Sequence, residues 1–393
     1  MTTQSLIVSG VRTPIGSLGG VLASVSAPAL GAACIQAALE RAGVAPAEVD
    51  EVLMGNVVSA GIGQNPARQA AIKAGVPNSV GATTINKVCG SGLKAVMLAD
   101  QAIRLGEAHV VVAGGMESMS LAPYLLARAR QGYRMGHGQL IDSMIQDGLW
   151  DAYGDAHMGA YGDQCAARYR FTKQQQDDYA IRSYLRARKA IADGTFVDEI
   201  VPVEVPLRKG ASVVSDDEEP ARFHEDKLRA LKPAFSEQGT VTAGNASSIN
   251  DGAAALVVAS EAACSQLHLK SLARIVGAST YSTDPEWFTI APIGAIRMLF
   301  DDIGWSVDTV DLFEINEAFA NVAMAAAADL NISADKLNIY GGAVALGHPI
   351  GATGARILAT LLTGLNRTGG KRGIACLCIG GGEAVALAVE RVE

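Results

Sequence analysis

The chain repeats itself. An Ala42-Gly43 helix end followed by Val49-Asp50 has a counterpart in Ile303-Gly304 followed by Val310-Asp311. An extended run into Cys89-Gly90-Ser91-Gly92 and a periodic helix is matched by His348-Pro349-Ile350-Gly351 and its helix, with Gly92 set against Gly351. A buried strand at 110–115 followed by Glu117 is matched by 375–382 followed by Glu383. Three correspondences in the same order, at a nearly constant displacement, predict two similar α/β halves. Strand–helix alternation within each half favours mixed or parallel sheets with helices on their faces.

Hydrophobic periodicity places helices at 30–42, 66–75, 93–105, 291–300 and 318–330, and another starting near Ala352. Strands are expected at 6–8, 49–58, 109–113, 253–260, 272–277, 310–315, 373–379 and 384–389. Between Ser118 and about Asn245 the texture changes. A polar helix at 172–192 opens on the capping-type residues Thr172 and Gln175, and Pro-bounded segments follow. The acidic run Asp216-Asp217-Glu218-Glu219 reads as a solvated loop. The expected organisation is an N-terminal half at 1–118 plus about 246–270, an inserted loop domain at 119–245, and a C-terminal half at 271–393.

The 393 residues, 49% hydrophobic, suffice for two domains or one duplicated one. With 43 glycines and only 5% aromatics, tight turns and close helix–sheet packing are favoured over bulky cores. A net charge of −8 argues against nucleic-acid or membrane-surface binding. The N-terminal stretch lacks a basic, apolar leader and the C-terminal residues form no peroxisomal address, so the expected compartment is the cytoplasm. Six scattered cysteines without a C-x-x-C pair predict neither a disulfide framework nor a zinc site.

Ligands gather at the carboxyl ends of strands in open α/β sheets. Here the equivalent ends carry Cys89, Asn316, His348 and Cys378. His348 lies in an uncharged glycine-rich stretch, 341–354, where Pro349 restrains it towards an extended conformation. Cys89, at a helix start, is either a small buried hydrophobe or a nucleophile whose thiolate the helix dipole favours. Cys378 precedes three glycines at a strand exit, and Cys376 shares its strand face as a core residue. Asn316 is either a helix N-cap or a carboxamide that orients a water or an oxyanion. The small-residue turn at 243–252 is either a plain loop or a surface on which an extended ligand lies.

These residues give the chain a clear resemblance to the thiolase family. Matching stretches are Val88-Cys89-Gly90-Ser91-Gly92, Gly244-Asn245-Ala246-Ser247 through Asn250-Asp251-Gly252, Asn316-Glu317-Ala318-Phe319, 341–354, and Cys378-Ile379-Gly380-Gly381-Gly382. Asn65-Pro66-Ala67-Arg68-Gln69 and Gly114-Gly115-Met116-Glu117-Ser118-Met119 also match, so the resemblance spans the chain. Spacing is closest to the biosynthetic branch, which joins two acetyl-CoA into acetoacetyl-CoA and CoA. A degradative, broader-range 3-ketoacyl-CoA thiolase is the alternative.

The resemblance implies a thiolase fold of duplicated αβαβα layers with an inserted loop domain, assembled as a homotetramer. It implies that Cys89 takes the acyl group as a thioester after activation by His348. Cys378 would remove the α-proton of a second acetyl-CoA. Asn316 would hold a water that, with His348, stabilises the enolate oxygen. Backbone N–H groups of Cys89 and Gly380 would form a second oxyanion hole. Ser247 would lie along the pantetheine, in a channel with Leu149, His157, Met158, Phe235, Ala243, Phe288, Ala318 and Phe319.

No permanently bound cofactor is implied, only CoA thioesters as substrates. Three positions depart from the common pattern. Phe288 stands where many bacterial members carry Met. Pro220 replaces the tyrosine with which a mitochondrial branch binds potassium, so a potassium site is not expected. Tyr161-Gly162-Asp163-Gln164 replaces Thr-Ala-Glu-Asn beside the acyl pocket.

Overall fold

Runs of β-branched and small apolar residues form the strands, and glycines end the helices that separate them. The computed structural model describes residues 3–392; residues 1–2 and 393, the outermost residues of the halves assigned above, lie outside the described residues. The main strands are β1 (Ser5–Arg12), β2 (Glu51–Gly55), β3 (Gly81–Ile85), β4 (Val110–Ser118), β5 (Asn250–Ser260), β6 (Ala273–Ser282), β7 (Leu312–Ile315), β8 (Arg372–Ile379) and β9 (Glu383–Arg391). They hydrogen-bond in the order β7-β8-β9-β6-β1-β5-β4-β2-β3, and a short strand at Gly16–Ser17 adds to β5. Each half is mixed. β2 runs parallel to β3 and β4, β7 runs parallel to β8, and the remaining pairs are antiparallel. The halves meet at β1 and β6 through the pairs Leu6↔Arg274 and Ile7↔Ala273.

The main helices are α1 (Ala27–Ala42), α2 (Pro66–Lys73), α3 (Ser91–Leu105), α4 (Met158–Tyr169), α5 (Lys173–Ala192), α6 (Ala291–Ile303), α7 (Ala320–Leu330) and α8 (Thr353–Thr368). Alternation along the strands sorts the apolar side chains into layers. Val110, Val112 and Met116 pack outward with α1 and α2, while Val111 and Ala113 pack inward with α3 and α8. In the second half Ile374 and Cys376 face α6 and α7, while Ala375 and Leu377 face the same central helices. The result is five layers, αβαβα, with α3 and α8 shared between the two halves of the sheet.

The two central helices are where the repeat register is refined. Gly92 and Gly354 are the second residues of α3 and α8. A Cβ on Gly92 would lie 2.9 Å from the Ala355 nitrogen, and one on Gly354 would lie 2.3 Å from the Leu93 nitrogen. Gly354, rather than Gly351, is therefore the structural partner of Gly92. The helices cross at these glycines because any side chain would separate them. The second half also shortens one strand: the counterpart of β3 is a single bridge, Phe313↔Leu337.

Residues between β4 and β5 leave the sheet. Thr172 and Gln175 form a reciprocal capping box at the start of α5. The acidic run, expected to be solvated, is partly buried. Arg12, hidden at the end of β1, grips Asp217 bidentately at 2.7 and 2.9 Å and also pairs with Glu199. Asp217 Oδ1 accepts the Ile15 N–H as well, and Glu218 accepts the N–H groups of Ser17 and Val21. A buried carboxylate is tolerated when paired in this way. The run thus straps the excursion onto the exit of β1. Among the described residues no helix is long and apolar enough to cross a membrane.

Candidate active site

Cys89 sits in a strained turn. After β3 the chain reverses at Val88, a β-branched residue with φ +45°. Such a conformation costs about 1–3 kcal/mol and persists only where its surroundings enforce it. Ser91 supplies the enforcement: its hydroxyl accepts the Lys87 N–H at 2.8 Å and donates to the Val88 carbonyl at 2.6 Å. The turn presents half-buried Cys89 to a cleft of about 490 Å³. The preformed thiolate expected from the helix start is not found. Desolvation pushes the thiol up to about 11, outweighing the nearby N–H groups of Gly380 and Cys89 itself. Cys89 is a neutral thiol at rest and needs a base.

His348 faces the same cleft and is buried. Its N–H donates to Asn250 Oδ1 at 2.9 Å, and the preceding Gly347 has φ +108°, which a side chain would resist. The ring Nδ1 lies 2.7 Å from Thr353 Oγ1, whereas Nε2 has no protein partner. Burial, helped by the charge of Arg356, lowers its basicity to about 3, so the imidazole is neutral.

The loop after His348 is clamped to the sheet. The Gly351 N–H donates to Glu117 Oε2 at 2.8 Å, and the same carboxylate accepts from Val57, Val58 and Asn56. Burial lifts Glu117 to about 7 despite these donors.

Asn316 follows β7 directly. It does not cap α7, which starts at Ala320 with Phe319 in the N-cap position. Both polar atoms of its buried carboxamide lack protein partners, the state of a group reserved for water or ligand. Cys378, next to the end of β8, is wholly buried; burial pushes its thiol up, and so does the proximity of Cys89. The β8–β9 turn then brings Gly380 to the cleft.

Of the sequence-predicted residues, Cys89, His348, Gly380, Leu149, His157, Met158, Phe235, Ala243, Ser247, Phe288, Ala318 and Phe319 line the cleft. Asn316 and Cys378 are buried off the lining. Ser247 donates both its N–H and its hydroxyl to the Ala318 carbonyl, at 2.9 and 3.0 Å, tying the 243–252 turn to the segment between β7 and α7. The walls are aromatic: His157 stacks on Phe235 at 4.8 Å, and Phe319 meets Phe235 and Phe288 edge-on. Tyr161 backs Phe288 at 6.3 Å and donates to buried Asp151 at 3.0 Å, bracing that wall. Sequence reading missed Val88, Thr353 and Arg222, which lines the mouth. Val88 and Thr353 each left a signal, their places in the Cys89 stretch and in the glycine-rich stretch.

Among the described residues no cluster of three or more metal-ligating side chains is present. The arrangement suits acyl transfer: a thiol, a free imidazole nitrogen and N–H groups of Gly380 and Cys89 meet at one apolar cleft, with a second thiol buried just behind its lining.

Comparison with known proteins gives a consistent result. Residues 5–262 match the family described as "Thiolase, N-terminal domain" and residues 269–391 match "Thiolase, C-terminal domain". The chain is 52% identical over 388 residues to "Acetyl-CoA acetyltransferase" of Pseudomonas aeruginosa, covering 98% of this chain and 99% of that one. It is 52% identical over 391 residues to the protein of that name from Cupriavidus necator, covering 99% and 100%. The solved structure "Crystal structure of the Bacillus anthracis acetyl-CoA acetyltransferase" superposes with a TM-score of 0.97 at 44% identity, covering 100% of this chain and 99% of that one.

Proposed function

Because the chain belongs to the thiolase family, we propose that it is an acetyl-CoA C-acetyltransferase, joining two acetyl-CoA into acetoacetyl-CoA and free CoA, reversibly. The observation that carries this reading is one set of groups: Nε2 of His348 and both polar atoms of Asn316, which lack protein partners, together with the thiols of Cys89 and Cys378, which burial keeps neutral.

In the first half-reaction His348 Nε2 takes the Cys89 proton as sulfur attacks the acetyl carbonyl. The tetrahedral oxyanion is met by donors already in place, each worth about 10²–10³ in rate. CoA leaves with the proton of Cys378, so Cys89 holds an acetyl thioester, His348 keeps the Cys89 proton and Cys378 is left as the thiolate. In the second half-reaction this Cys378 thiolate removes an α-proton from a new acetyl-CoA. The enolate oxygen rests against His348 and a water held by Asn316. The enolate carbon attacks the Cys89 thioester, whose oxyanion lies against the N–H groups of Cys89 and Gly380. Collapse breaks the C–S bond to Cys89, which takes its proton back from His348, and frees acetoacetyl-CoA. A neutral thiol that is ionised only as it reacts suits so dry a cleft, where a resting thiolate would be costly.

Ser247 and the aromatic walls are assigned to the pantetheine and acyl arms. The protein acts as a cytoplasmic homotetramer, without a bound cofactor, and Pro220 leaves it without the potassium-binding tyrosine. We assign 1–118 with about 246–270 to the first half, 119–245 to the loop domain and 271–393 to the second half. The braced Phe288 wall supports a preference for short acyl groups. Steady-state thiolysis of acetoacetyl-CoA, 3-ketohexanoyl-CoA and 3-ketooctanoyl-CoA tests it: kcat/KM is expected to fall with length. A preference for the longer chains overturns the acetyl assignment in favour of the degradative reading.

A further inference from the structure

His348 reaches the cleft through one nitrogen, and the other is held by a single side chain. Thr353 is fully buried at the first position of α8, and its Oγ1 lies 2.7 Å from Nδ1 and 2.9 Å from the Pro349 carbonyl. That carbonyl already accepts the N–H groups of Ala352 and Thr353 at 2.9 and 3.0 Å. It tolerates the hydroxyl proton but does not depend on it. The hydroxyl is therefore free to rotate between two acceptors, Nδ1 and the carbonyl.

The partner type matters. A hydroxyl both donates and accepts. A carbonyl or carboxylate on Nδ1 would hold the proton there, and a backbone N–H would exclude it. A hydroxyl satisfies Nδ1 in either state, so neither neutral tautomer leaves a buried orphan atom, which would cost about 1–3 kcal/mol. The reaction asks His348 Nε2 to accept a proton from Cys89 in one step and to offer a hydrogen bond to an enolate oxygen in another. When Nε2 takes a proton from Cys89 the ring is doubly protonated for that step, a state that the desolvated site and the nearby Arg356 charge keep short-lived. The hydroxyl serves that state too, since it can accept from Nδ1–H while donating to the Pro349 carbonyl.

We propose that Thr353 is a positioning residue for the reaction: its hydroxyl holds the His348 ring through Nδ1, whichever nitrogen carries the proton, and keeps Nε2 aimed at Cys89. This rests on the role given to His348 above. The same helix turn that starts α8 thereby sets the orientation of the base. Asn250 Oδ1 separately accepts the His348 main-chain N–H, so ring and backbone have different partners.

The test compares Thr353→Val, Thr353→Ser and His348→Ala in the full-length protein, by the pre-steady-state burst of CoA released on mixing with acetyl-CoA and by steady-state kcat and KM. Thr353→Val removes only the hydroxyl at constant shape and is expected to slow acylation about 10²-fold, with KM for acetyl-CoA changed less than about threefold. Thr353→Ser, which keeps the hydroxyl, is expected to recover acylation to within about threefold of the parent. A parent-like rate in Thr353→Val, or a Thr353→Ser as slow as Thr353→Val, overturns the proposal. A merely structural role would move the melting temperature and KM together and show no recovery that depends on the hydroxyl. If Thr353→Val does not fold, Thr353→Ala is measured against the same criteria. His348→Ala separates the premises: normal acylation there refutes the base assignment, whereas lost acylation with a parent-like Thr353→Val refutes the role of Thr353 alone.

Discussion

Gly115→Ala probes how the His348 loop is seated. Gly115 lies on β4, and a Cβ there would sit 2.0 Å from the Gly351 carbonyl oxygen. An ordinary carbon–oxygen contact is over 3 Å, so the carbonyl must retreat by about 1 Å. It cannot do so freely, because the Gly351 N–H is bonded to Glu117 and a Cβ on Gly351 itself would touch that carboxylate at 2.6 Å. Overpacking costs about 1–3 kcal/mol, and losing a hydrogen bond to a buried carboxylate adds about 1.5–3. The expected loss of stability is therefore roughly 2.5–6 kcal/mol in urea unfolding. The same displacement moves His348, three residues earlier, and a misplacement of about 1 Å can cost 10²-fold in rate. The control is Gly81→Ala on β3, where a Cβ meets nothing within 4 Å; it should stay within about 0.5 kcal/mol of the parent. A Gly115→Ala protein with parental kcat would refute the seating of His348 through Gly351.

Two further outcomes follow from the site. Cys378→Ser should still acquire an acetyl group but condense about 10²–10⁴-fold more slowly, since a hydroxyl is a far poorer base to ionise; parental condensation would contradict the assignment of the base. His348 should make the fold acid-sensitive. Its folded value is about 3 against an ordinary 6.5, so below about pH 6.5 the unfolded chain takes a proton that the folded chain refuses. Stability then falls as pH drops towards 3, by up to about 1.4 kcal/mol per pH unit from this group. Glu117, raised from 4.5 to about 7, and Glu314, raised from 4.5 to about 8, act in the opposite sense, their stabilisation being lost as pH rises from 4.5 up to those values. His348→Asn should flatten the acid limb relative to the parent and leave the upper limb unchanged. Parallel urea-midpoint curves between pH 6 and pH 4 would refute the buried neutral ring.

The sequence carried the architecture because duplication and periodicity are local signals repeated at a fixed displacement. It carried Cys89, His348, Asn316 and Cys378 as candidates because each stands at a strand end or in a glycine turn. What it did not carry depends on residues far away in the chain. Asp217 reads as surface until Arg12, 205 residues earlier in the chain, is seen beneath it. The state of the Cys89 thiol is set by burial beneath loops from both halves, which outweighs the helix dipole on which the sequence argument relied. The register of Gly92 against Gly354 is fixed by helix crossing, and motif spacing alone is ambiguous by a few residues. The strain at Val88 runs against that residue's own preference, as is common where a turn serves a reacting group. Thr353 looks like an ordinary first residue of a helix until Nδ1 is found beside it.

The central claim is that one thiol, Cys89, carries the acyl group. Mass spectrometry of peptides from protein quenched in acid after brief mixing with acetyl-CoA tests it directly. The account predicts the mass of one acetyl group on the peptide containing Cys89, removed by added CoA and absent from Cys89→Ala. An acetyl group on Cys378 instead, or a Cys89→Ala protein that still releases CoA in a burst, would contradict it.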